Sequence, residues 1–273
     1  NQPTTRLTTT KLEVLLDSAR GCLTGLKDLE SGQIWSNGDH PLGVMSYQSF
    51  SAADYDRFVH QYIIPEEQKS DWPKEDFGKP GVELANPGSR VWNTVLTQAY
   101  QRQVGSETSV LYHMTFAKAV VSKYGAPQEV FVLYRFPEEK KQISIEVQWF
   151  KKQASRLPEA IWLGFVPLLP AGAHWKIEKL GKWVSPSDVV ENGNRHLHAT
   201  GKGVELSHPN GKLRLVPLDS TLVAPGAPSM LDFNNDQPDP YKGMHFCLLD
   251  NLWGTNFPMW FEEDCRFRFD LLL

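Results

Sequence analysis

Along most of the chain, apolar and polar positions alternate every second residue. Ile143-Ser144-Ile145-Glu146-Val147-Gln148-Trp149 and Arg266-Phe267-Arg268-Phe269-Asp270-Leu271 alternate strictly. Each predicts a strand with one buried and one solvated face. Similar runs predict strands at Lys11–Leu16, Gly43–Phe50, Val91–Val104, Thr108–Ala117, Glu129–Arg135, Ile161–Val166, Trp175–Lys179, Lys212–Val216 and His245–Asp250. Turn chemistry separates them at Gly105-Ser106, in the charged stretch Glu138–Lys141 and at Asn210-Gly211. Val91–Val104 reads as one long strand of a large twisted sandwich.

Helical spacing stands out at Ser51–Tyr62. Ser51 is placed to cap it, Asp54 completes a capping box in place of Glu, and Tyr55, Phe58, Val59 and Tyr62 share one face. Residues 65–88 and 224–242 are rich in Pro, Gly and polar residues and read as long loops. No fixed-period repeat is present, which argues against solenoids and propellers. The predicted fold is therefore all-β, a large antiparallel two-sheet supersandwich with one or two short helices. It occupies residues 11–273, and the polar residues 1–10 read as a linker or a cut end.

Composition narrows the function classes. With 41% hydrophobic residues a sizeable core is available, and the tryptophans are expected mostly within it, Trp149 and Trp162 among them. A net charge of −4 argues against an electrostatic nucleic-acid binder. No stretch nears the roughly 20 apolar residues of a membrane span, and no secretory leader pattern opens the chain. A soluble protein is expected, secreted or cytoplasmic. Cys22, Cys247 and Cys265 are odd in number and lack metal-ligand spacing.

Three groups of residues carry candidate chemistry. His196 and His198 alternate on a predicted strand, with Asp219 and His208 as conceivable co-ligands. A bare His-x-His is weak, so no metal is expected there. Facing a sugar, Arg195, His196 and His198 would act as hydrogen-bond donors. Glu159 as a general acid needs a second carboxylate about 5–9 Å away, for which Asp219 and Asp250 are candidates. The favoured reading pairs it with Arg156 or makes it a turn cap. In the loop from Asn251 to Trp260, Asn251, Trp253 and Asn256 are candidate carbohydrate contacts, with Phe257 and Trp260 packed inward. The alternative is a rigid loop whose Asn amides satisfy backbone groups. Gly201-Lys202-Gly203 reads as a turn.

A family resemblance rests on three segments: Leu42–Phe58, Lys151–Trp162, and Asn251–Trp260 with the following Arg266-Phe267-Arg268-Phe269. In this order and spacing they resemble the C-terminal half of proteins related to glycoside hydrolase family 38, the retaining α-mannosidases. The resemblance covers nearly the whole chain from about residue 12 and implies a sandwich of the α-mannosidase C-terminal or galactose mutarotase-like type. In that family, zinc and an aspartate nucleophile sit in an N-terminal barrel. The barrel's His-x-Asp ligand pattern is not found here: His113-Met114-Thr115 and His174-Trp175-Lys176 do not match it, and Asp39-His40 reverses it. The implied role is an accessory half that supports the catalytic barrel of a parent protein and contacts carbohydrate. On that reading this chain carries no cofactor of its own. Two rivals stay open: a self-sufficient mutarotase- or lyase-like enzyme, and a non-catalytic carbohydrate-binding module.

Overall fold

The computed structural model describes residues 5–209, 211–254, 259–260 and 262–273. The first strands are β1 (Thr5–Thr8), β2 (Leu12–Asp17), β3 (Cys22–Asp28), β4 (Ile34–Ser36) and β5 (Leu42–Ser49). After three helices come β6 (Arg90–Asn93), β7 (Val95–Val104), β8 (Glu107–Thr115), β9 (Glu129–Pro137), β10 (Gln142–Phe150) and β11 (Glu159–Phe165). Then follow β12 (His174–Lys179), β13 (Lys182–Val184), β14 (His198–Ala199), β15 (Val204–His208) and β16 (Gly211–Pro217). β17 (Leu222–Pro225), β18 (Met244–Asn251) and β19 (Cys265–Leu272) complete the set. The helices are α1 (Ala52–Tyr62), α2 (Trp72–Asp76), α3 (Val82–Ala85) and, between β8 and β9, α4 (Lys118–Tyr124).

Sheet one runs β1-β2-β3-β5-β11-β18-β17-β14, with β4 on β3 and β6 on β5. Sheet two runs β13-β12-β15-β16-β19-β10-β9-β8-β7. Alternation explains the core between them. On β9 and β10 the residues Val130, Val132, Tyr134, Phe136, Ile143, Ile145, Val147 and Trp149 are all buried, and the residues between them are not. β11 breaks the alternation because every position is buried. Ile161, Leu163 and Phe165 face the inter-sheet core. Ala160 and Trp162 join a second cluster with Phe50, Tyr55, Phe58, Leu231 and Leu252 on the outer side of sheet one. A strand covered on both faces reads as a continuous apolar run.

Several expectations are corrected. Val91–Val104 is two strands: β6 pairs with β5 in sheet one, and β7 pairs with β8 in sheet two. The break falls at the buried Thr94, where the chain crosses between sheets. Thr5–Thr8, read from its polar composition as linker, forms an antiparallel edge with β2, and Leu7 is buried. The 65–88 stretch holds α2, α3 and a 3₁₀ turn at Glu67–Lys69. The helix α4 gave no periodic signal, being short and rich in valine. It ends at Gly125 (φ 86°), where a Cβ would lie 2.7 Å from that of Ser155.

α1 forms where expected. The Asp54 carboxylate accepts from the Ser51 backbone N–H at 2.7 Å and its hydroxyl at 2.9 Å. Tyr55, Phe58 and Val59 are buried. Turns fall at Gly105-Ser106 and at 138–141, between paired strands. His208 pairs with Gly211, while Asn210 lies outside the described residues.

Candidate functional site

β5, β11 and β18 lie side by side in sheet one, and each carries a polar residue toward one point in the interior. Glu159 opens β11, opposite Ser49 of β5 and Asn251 of β18. Its Oε1 accepts from Lys152 Nζ at 2.8 Å and from Asn251 Nδ2 at 3.3 Å. Its Oε2 lies 2.6 Å from the Tyr47 hydroxyl, whose single proton is shared with the Tyr124 carbonyl at 2.7 Å. Asn251 also donates to the Ser155 carbonyl at 2.8 Å, and its Oδ1 accepts from Lys79 Nζ at 2.6 Å. Lys79 donates in addition to the Met259 carbonyl.

This cluster is sealed: the Lys152 and Glu159 side chains are both 0% exposed. Burial pushes the Glu159 carboxyl up, while Lys152, Tyr47 and Asn251 pull it back. Burial, helped by the Glu159 charge, holds the Tyr47 phenol well above its ordinary range. Burial lowers the Lys79 ammonium to about 8, opposed by Glu159 and Asp250. Burial also raises Asp250, with Lys79 opposing. Tyr47, Glu159 and Asn251 come one from each of the three segments that carry the resemblance. Those segments therefore build a buried polar hub, and the general-acid reading of Glu159 finds no access for substrate.

The hub meets the surface at Lys79, which lines a cleft of about 720 Å³ between α1 and residues 71–83. Tyr55, Asp56, Glu75 and Asp76 share its wall with Gly254. Asp56, Glu75 and Asp76 give that wall hydrogen-bond acceptors, while the buried Lys79 turns its ammonium to Asn251 and the Met259 carbonyl.

The other nominated residues fall elsewhere. Glu159 does not pair with Arg156, which lies over the Trp260 ring at 4.5 Å. Trp260 is 45% exposed rather than packed inward. Trp253 joins the second apolar cluster, 5.6 Å from Phe58 and 5.9 Å from Phe77 between ring centres. Asn256 and Phe257 lie outside the described residues. Asp219 is held by Arg268 at 2.9 Å.

Arg195 and His196 reach the 234–237 loop, and His198 lies beneath Arg195. His196 Nε2 meets Asn234 Oδ1 at 3.0 Å, and Arg195 reaches Gln237 at 3.4 Å. His198 is buried against the Arg195 carbonyl at 3.2 Å, and burial, with help from Lys179, lowers its pKa to about 4. Only His198 falls in a strand, β14, in place of the expected His196–His198 alternation, and the two rings have separate partners. Among the described residues no three His, Cys, Asp or Glu side chains converge as metal ligands. Cys22, Cys247 and Cys265 are free thiols, and among the described residues no helix is long and apolar enough to cross a membrane. Gly201 and Lys202 donate their backbone N–H groups to Glu178, as a turn wrapped on a carboxylate.

Sequence reasoning passed over Tyr47, Lys79, Lys152 and Ser155. Tyr47 had a signal, since it sits at an inward position of a strand with a hydroxyl that must be satisfied. Lys79 had none, because it lies in an irregular stretch.

Residues 2–144 match a family described as a domain of unknown function, DUF5054. The chain belongs to that family. No curated protein matches this DUF5054 member. An α-mannosidase from Enterococcus faecalis V583 superposes with a TM-score of 0.63 at 10% identity, over 100% of this chain and 29% of that one. A glycosyl hydrolase family 38 protein from Enterococcus faecalis gives 0.60 at 10% identity, over 100% and 30%. A galactose mutarotase-like protein from Clostridium acetobutylicum gives 0.50 at 12% identity, over 97% and 93%. At such identities the likeness establishes the fold. The DUF5054 chain spans under a third of the two family 38 chains.

Proposed function

We propose that the chain is the β-sandwich portion of an α-mannosidase-like glycoside hydrolase, supporting a catalytic barrel and bordering its sugar cleft. The observation that carries this reading is the superposition of the entire chain on less than a third of two family 38 chains. In that arrangement the hub stiffens sheet one from within, and the cleft between α1 and residues 71–83 borders it at Lys79. Carbohydrate contact by Arg195 and His196 belongs to the same proposal. On this reading zinc belongs to the barrel.

A mutarotase-like enzyme complete in this chain is the second reading, favoured by the near-complete mutual coverage with the Clostridium acetobutylicum protein. Two assays on the purified chain separate them: hydrolysis of an aryl α-mannoside with added zinc, and interconversion of galactose anomers. The accessory reading expects neither, and expects mannoside hydrolysis only from a barrel-bearing parent. Anomer interconversion that persists through repurification would replace it with the second reading.

A further inference from the structure

On an antiparallel sheet with one solvated face, outward positions are normally polar. Sheet two departs from this on β8, β9 and β10. Leu111, Phe131, Leu133 and Phe150 point outward and remain half-buried. Cross-strand register places Leu111 beside Leu133, Phe131 beside Gln148, and Leu133 beside Glu146. The six side chains line a shallow cleft of about 220 Å³. Drug-sized ligands take roughly 300–1,000 Å³, so this cleft suits a single small ring.

Its parts are held in place before any ligand arrives. Phe131 stacks on His113 with ring centres 4.5 Å apart and planes at 5°. Phe150 meets Phe131 edge to face at 5.7 Å. Arg135 donates to Glu146 Oε2 at 3.4 Å, and the Gln148 amide donates to Oε1. An apolar floor thus adjoins a carboxylate, an amide and a guanidinium.

We infer that this cleft is a binding subsite for a neutral hexopyranose residue. The C–H face of a pyranose packs on Phe131, Leu133 and Phe150, while its hydroxyls donate to Glu146 and accept from Gln148 and Arg135. Arg135 pairs with the carboxylate, so the rim is close to neutral and gives a charged sugar no electrostatic advantage. The cleft lies on sheet two and shares no residue with the hub on sheet one. The inference therefore stands or falls independently of the barrel.

The test is an NMR titration of the purified protein with methyl α-mannopyranoside and, separately, methyl β-galactopyranoside. The expected result is saturable perturbation of the Phe131 and Phe150 ring signals by at least one glycoside. Binding should weaken about tenfold or more in Phe131→Ala and in Glu146→Gln. Trp260→Ala, on a different exposed ring, should bind as the parent does. If Phe131→Ala does not fold, Glu146→Gln decides. Absence of perturbation with both glycosides, or unchanged affinity in Glu146→Gln, overturns the inference.

Discussion

Two carboxylates in this molecule are furnished with similar partners and put to opposite uses. Glu159 has a lysine, an amide and a tyrosine around it, and no solvent reaches it. Glu146 has an arginine and an amide beside a phenylalanine floor, and it opens to the surface with 13% of its side chain exposed. Residue chemistry does not separate the two. The face of the strand does, because Glu159 points between the sheets while Glu146 points away from them. Tyr47 of β5 and Asn251 of β18 both bond to the buried Glu159 of β11, so the sealed carboxylate ties three strands together. An open carboxylate is left with capacity for a ligand.

The strongest way to sharpen that contrast is to remove the cation paired with Glu159. Lys152→Met leaves a buried carboxylate without its counter-ion, and loss of about 3–5 kcal/mol of stability is expected. Urea denaturation measures it. A loss below about 1 kcal/mol, the range of exposed pairs, would place Glu159 with Glu146 instead.

A smaller effect extends the comparison to histidines. His198 and His245 are both lowered to about 4, chiefly by burial. Each is neutral when folded and charges when unfolded, so the unfolded chain binds more protons between about pH 6.5 and pH 4. Stability should therefore fall as pH drops through that window, by about 1–2 kcal/mol per histidine at pH 5. Glu159 works in the opposite sense, because its raised carboxyl binds a proton more tightly when folded. Melts across this range should flatten in His198→Gln and His245→Gln. A slope unchanged in both variants would mean that these rings are open to water.

Much of the sandwich was legible because its inner faces alternate so regularly, as on β9 and β10. The split between β6 and β7 was not, since apolar and polar residues run through Thr94 without a turn residue and only the change of sheet separates them. The hub was legible in pieces. Glu159 stood out as a charge at the head of an apolar run, yet its partner was misjudged. Lys151 adopts φ 56°, in a bend that precedes the buried Lys152, while Arg156 lies over Trp260. Tyr47 is 112 residues from Glu159 and Lys79 is 172 from Asn251, so no local pattern links them. The outer cleft had a sequence signal that went unread: in β9 both parities are apolar at Phe131-Val132-Leu133. Asn251 and Trp253, nominated as carbohydrate contacts, sit in the structure as an internal bracket and a packing ring.

The contrast between sealed scaffold and open subsite is tested most directly by Glu159→Gln and Glu146→Gln, compared for melting temperature and for glycoside binding. Glu159→Gln should remove the charge that balances the buried Lys152 ammonium and lower the melting temperature, while the folded fraction still binds through sheet two. Glu146→Gln should melt as the parent does and bind about tenfold more weakly. The reverse pattern, a stable Glu159→Gln protein that no longer binds and a destabilised Glu146→Gln protein that does, would contradict the assignment of both carboxylates.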